Sequence, residues 1–87
     1  MTAQLRLTQM LAEVVGTDVG HMVSGSTVTE VLNDLFARQP GLRGHILDEK
    51  GAVRPHVAVF VNGTQSTLDG AVPDNADVYI LHAVSGG

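Results

Sequence analysis

Thr27-Val28-Thr29-Glu30-Val31-Leu32-Asn33-Asp34-Leu35-Phe36-Ala37-Arg38-Gln39, followed by Pro40-Gly41, is the stretch on which the fold turns. Thr27 stands where a helix N-cap belongs, and Glu30 follows three residues later, so the pair forms a capping box. Val28, Val31, Leu32, Leu35 and Phe36 recur at helical spacing and make one apolar stripe. Asn33, Asp34, Ala37 and Arg38 fall away from that stripe, and Pro40-Gly41 stops the run. The pattern predicts a helix over Val28 to Gln39 with one face to bury. A single amphipathic helix needs a sheet to cover, and the flanking sequence supplies one.

Upstream, Ala3 to Thr8 alternates, with Leu5 and Leu7 on one face and Gln4, Arg6 and Thr8 on the other. That period of two predicts a half-buried strand. Gln9 to Val15 is too densely apolar to alternate and reads as a helical turn ended by Gly16. Val19 to Val23 can return as a second strand; Gly20 weakens it and puts it at an edge. Downstream, Leu42 to Leu47 predicts a short second helix, and Asp48-Glu49-Lys50-Gly51 a surface turn. Pro55 keeps Arg54 extended. Val57-Ala58-Val59-Phe60-Val61 has high strand propensity. Asn62-Gly63 after it is a hairpin signal, because both central residues of a type I′ turn take positive φ. Thr64 to Leu68 would be the returning strand. Turns at Asp69-Gly70 and Val72 to Asp77 then lead into a last strand, Asp77 to His82.

The order β-β-α-(short helix)-β-β-β predicts an α+β domain with the main helix across one face of a mixed four- to five-stranded sheet. First and last strands side by side in the middle make this the β-grasp, or ubiquitin-like, arrangement. The expected organisation is a folded unit over residues 1–82 and a flexible C-terminal Gly-Gly tail over 83–87. Parity places Val57, Val59, Val61, Val78 and Ile80 against the helix. Ala58, Phe60, Tyr79 and Leu81 then look outward, as a partner-docking patch or as ordinary apolar surface partly covered by a loop.

Composition narrows the chemistry. An 87-residue chain with 44% apolar residues supports one small core, built from Val, Leu, Ile and Ala because aromatics are only 3%. The absence of cysteine excludes disulfides, thiolate metal sites and a thiol nucleophile. A net charge of −4 with five Lys and Arg argues against a nucleic-acid surface. No apolar run approaches the ~20 residues that span a bilayer, and no leader pattern opens the chain, so a cytoplasmic, non-membrane protein is expected. His21, His45, His56 and His82 show no ligand spacing, so no metal site is expected. Ser85 has no triad partner at plausible spacing, and the Asp69, Asp74 and Asp77 positions suit turns rather than a calcium loop. A G-x-x-x-x-G-K phosphate loop is also missing.

The end of the chain is the remaining feature. Val84-Ser85-Gly86-Gly87 follows almost directly on the last strand. Two glycines lack Cβ atoms, so an enzyme's narrow channel can close around their backbone and reach the terminal carboxylate. Together with Leu11-Ala12-Glu13-Val14-Val15-Gly16, Thr27-Val28-Thr29-Glu30-Val31-Leu32, Val59-Phe60-Val61-Asn62-Gly63 and Asp77-Val78-Tyr79-Ile80-Leu81, this ending resembles the ubiquitin-like sulfur carriers of the MoaD, ThiS and CysO type. The resemblance runs the whole length. It departs from the MoaD pattern at Thr8, Asn75 and His82-Ala83. The Asp48 to His56 loop and the Ile80-Leu81-x-Ala-Val-x-Gly-Gly ending look more like CysO-type carriers.

That resemblance implies a carrier that is not itself an enzyme and binds no cofactor. An E1-like, MoeB/ThiF-type activating enzyme would use ATP and magnesium to adenylate Gly87, with Val84, Ser85 and Gly86 recognised as the tether. A sulfur donor would leave a thiocarboxylate at Gly87. The acceptor would be a PLP-dependent cysteine synthase-like enzyme, the favoured case, or a molybdopterin synthase-like one; thiamine and other sulfur-bearing metabolites are further possibilities. Two other readings stand beside it: a protein modifier conjugated through Gly87, and a plain β-grasp interaction domain.

Overall fold

The computed structural model describes residues 1–82. Its elements are β1 (Thr2–Leu7), α1 (Gln9–Val15), β2 (Gly20–Ser24), α2 (Val28–Arg38), a 3₁₀ turn (Pro40–Leu42), α3 (Arg43–Ile46), β3 (Val57–Val61), β4 (Thr64–Ser66) and β5 (Ala76–His82). The five strands form one sheet in the order β2-β1-β5-β3-β4. β1 and β5 run parallel at its centre, with Leu5 beside Val78, and the other neighbours are antiparallel. This is the mixed β-grasp sheet that the element order implies.

The core lies between one sheet face and α2. Ala3, Leu5 and Leu7 of β1 point into it, as do Val57 and Val59 of β3 and Val78 and Ile80 of β5. All five stripe residues of α2 are buried against them, and Leu42, Ile46 and Leu47 close one end. Val61, expected with this set, is only partly buried, because it stands at the hairpin end of β3. The hairpin has the positive φ values its sequence requires, 50° at Asn62 and 84° at Gly63.

Several boundaries differ from the sequence expectation for local reasons. Thr8 leaves β1 to cap α1, its Oγ1 accepting the Leu11 N–H at 3.2 Å, so a polar residue there serves the helix. α2 ends at Arg38 because Gln39, preceding Pro40, takes an extended φ of −131°. β4 stops at Ser66 rather than Leu68. Beyond Ser66 the chain turns to the α2 N-terminus, where the Gly70 carbonyl accepts the Val28 N–H and the Leu68 carbonyl accepts the Thr29 N–H, each at 3.0 Å. These bonds satisfy helix N–H groups that have no intrahelical partner.

The capping box is also modified. Thr27 Oγ1 accepts the Glu30 N–H at 3.2 Å as expected. The Glu30 carboxylate reaches one residue further back, accepting the Ser26 N–H at 2.7 Å and the Ser26 hydroxyl at 2.9 Å. Gly25 makes room for this approach, since a Cβ there would lie 2.6 Å from the Glu30 Cβ. The Ser26 backbone and hydroxyl bonds hold the Glu30 carboxyl below its ordinary 4.5. A depressed folded-state pKa gives stability that is present above the unfolded value and lost as pH falls through the folded one. In thermal melts across an acidic pH series, Glu30→Gln should therefore be the less stable protein at neutral pH. The two proteins should converge as acid protonates Glu30.

Candidate functional site: the outer sheet face

The face opposite α2 is set by strand register. Ala58 pairs with Leu81 and Phe60 with Tyr79 across β3 and β5. Arg6 and Gln4 of β1 stand beside Tyr79 and Asp77, and Met22 of β2 lies beyond Gln4. The predicted quartet Ala58, Phe60, Tyr79 and Leu81 thus shares one surface on two adjacent strands. Leu81 is 37% exposed, and the other three are half-buried.

The quartet divides between two depressions. Phe60, Tyr79 and Leu81 line an open groove of about 630 Å³ with Arg6, Asn62 and Asp77. Ala58 belongs to a neighbouring groove formed with Val53, Pro55 and Leu68. In the sequence Arg6 is simply a polar-face residue of the first strand. In the fold its guanidinium carbon lies 5.7 Å from the Tyr79 ring centroid, a cation–π arrangement at the groove wall. The alternation of the first strand already placed Arg6 outward; its partnership with Tyr79 follows only from the parallel β1–β5 register. The groove offers an apolar floor from Phe60, Tyr79 and Leu81, one cation and one carboxylate. That composition suits protein recognition better than catalysis.

The sequence treats the four histidines as scattered, but two come together. His56 and His82 meet edge to face with ring centroids 4.8 Å apart, where β3 begins and β5 ends. His82 Nδ1 is buried there with no hydrogen-bond partner among the described residues. Two imidazoles fall short of a metal site, and among the described residues no group of three or more His, Cys, Asp or Glu could hold an ion. Among these residues, too, no helix is long and apolar enough to cross a membrane. The predicted modification site Gly87 and the recognition residues Val84, Ser85 and Gly86 lie outside the described residues.

The likeness to known proteins runs along nearly the whole chain. The ThiS family model matches residues 5–87, which includes Gly86 and Gly87. Small archaeal modifier protein 3 of Haloferax volcanii is 36% identical, with each chain covered in full. Among solved structures, small archaeal modifier protein 1 (SAMP1) of Haloferax volcanii superposes with a TM-score of 0.89 at 27% identity, both chains covered in full. A CysO of Mycobacterium tuberculosis superposes at 0.83 with 26% identity, over 94% of this chain and 99% of that one. The Amycolatopsis orientalis BexX/CysO complex contains a chain matching at 0.86 and 25% identity, covering 98% and 99%. By the family match along nearly its whole length, the chain belongs to the ThiS family of ubiquitin-like small modifiers and sulfur carriers, which are not themselves enzymes.

Proposed function

We propose that the chain is a sulfur carrier whose working atom is the terminal carboxylate of Gly87. The observation that carries this reading is the family match running through Gly87 itself. A carboxylate resists displacement until one oxygen becomes part of a good leaving group. An E1-like activating enzyme supplies that step: the Gly87 carboxylate attacks the α-phosphorus of magnesium-bound ATP, and pyrophosphate leaves. A sulfur donor then displaces AMP from the acyl adenylate and leaves a thiocarboxylate. Gly86 and Gly87 place no side chain beside the mixed anhydride, and Val84 and Ser85 position it. A cytoplasmic location, shared with its activating enzyme, is part of this reading.

The likeness to CysO structures supports a PLP-dependent, cysteine synthase-like acceptor, to which the thiocarboxylate would act as nucleophile. The 36% identical modifier protein supports a second reading, in which an amine of another protein displaces AMP instead. Both readings share the adenylate and the need for a docking face. The groove around Phe60, Tyr79 and Leu81 is the face we assign to the activating enzyme. Tyr79→Ala should weaken that complex by about 30-fold, the size of an aromatic interface anchor of about 2 kcal/mol. Calorimetric titration of the activating enzyme with the folded variant checks this; unchanged affinity would place docking elsewhere.

A further inference from the structure

The sheet has an outer edge at β2, and two side chains of α2 occupy two of its outward backbone groups. The Gly25 N–H bonds to the carbonyl of Met1, just before β1, so the alternate residues Met22 and Ser24 turn their backbone groups the other way, away from β1. Any strand laid along this edge must bond the Met22 carbonyl and the Ser24 N–H. Both are already taken. Arg38 Nη2 donates to the Met22 carbonyl at 2.6 Å, and Asp34 Oδ2 accepts the Ser24 N–H at 2.9 Å. The same two atoms pair with each other at 2.8 Å.

We propose that the Asp34–Arg38 pair is an edge guard that keeps this chain monomeric, and that the surface it shields is a pairing site for β2 of a second copy. The strand Gly-His-Met-Val-Ser has neither a charged residue nor a proline, the devices that usually blunt a free edge. Its Met22 side chain is 58% exposed. An antiparallel β2–β2 contact obeys a two-fold axis, is satisfied by identical groups on both copies and closes after two chains. It would join two five-stranded sheets into one continuous sheet. As an ion pair the two side chains are half-exposed, 49% and 37%, a setting in which such pairs contribute little stability. Their hydrogen bonds to the strand edge give the pair its purpose.

Sedimentation velocity across a concentration series tests this on the full chain. The wild type should run at 9.1 kDa throughout. Asp34→Ala/Arg38→Ala should move to twice that mass as concentration rises, and adding Met22→Lys at the opened edge should return it to monomer. Arg38→Met, which keeps aliphatic cover while freeing the Met22 carbonyl, should associate as well and serves if the double variant unfolds. A folded variant that stays monomeric at every concentration overturns the proposal. So does a wild type that already dimerises through β2.

Discussion

Leu5→Ala should cost about 3 kcal/mol, within the 2–5 kcal/mol span of large-to-small core truncations. Leu5 is fully buried at the middle of β1, flanked by His21 on β2 and Val78 on β5. Its side chain faces α2, where Val31, Leu32 and Leu35 are equally inaccessible. Neighbours on both adjacent strands are held by the backbone ladder, so the site cannot collapse fully into the space left. For a domain of this size the loss corresponds to a fall in Tm of roughly 12–24 °C. Against a total stability of about 5–15 kcal/mol, such a variant keeps its fold with little margin. Thermal and urea unfolding measure the loss directly. A cost under about 1 kcal/mol would mean that the core is less tightly packed around β1 than its burial indicates.

Removing Gly87 should have the opposite signature: activation abolished and stability unchanged. Among the described residues, 1–82, the core, the sheet ladders and the α2 caps already have their partners, and the deletion removes none of those residues. The chemistry we propose, by contrast, needs the carboxylate at that residue and glycine beside it. Gly86→Val should behave similarly, since a β-branched side chain would stand next to the acyl phosphate. ATP–pyrophosphate exchange with the activating enzyme, read beside a thermal melt, separates the two quantities. A truncated chain that still drives exchange at the full rate would remove Gly87 from the mechanism.

The residues explain which parts of this architecture were readable in advance. Thr27 and Glu30 announce a helix start because an N-cap depends on local hydrogen bonds. Asn62-Gly63 announces a hairpin because few residues take two successive positive φ values. Leu5 and Leu7 against Gln4 and Arg6 reveal a buried face by parity alone. Interactions between distant segments were not legible. Nothing near Leu68 in the sequence says that its carbonyl will accept both the N–H and the hydroxyl of Thr29. Arg6 looks like one more solvated cation until the β1–β5 register sets it beside Tyr79. His56 and His82 are 26 positions apart and meet only because β3 and β5 are neighbours. Asp34 and Arg38 read as the polar face of a helix; their bonds to the β2 edge depend on how that helix crosses the sheet.

In the proposed reading the face and the chain end divide the labour. Phe60, Tyr79, Leu81 and Arg6 line one groove on the sheet, which the activating enzyme would grip. β5, which carries two of those residues, also leads directly into the C-terminal sequence. Enzymes that hold the outer face are thereby held near the strand that ends at His82. The intact mass of the protein isolated from its native cell tests the central claim most directly. The carrier account predicts a fraction in which one oxygen of the Gly87 carboxylate is replaced by sulfur, lost on deleting the activating enzyme. An unmodified carboxylate in cells that contain an active activating enzyme would contradict it.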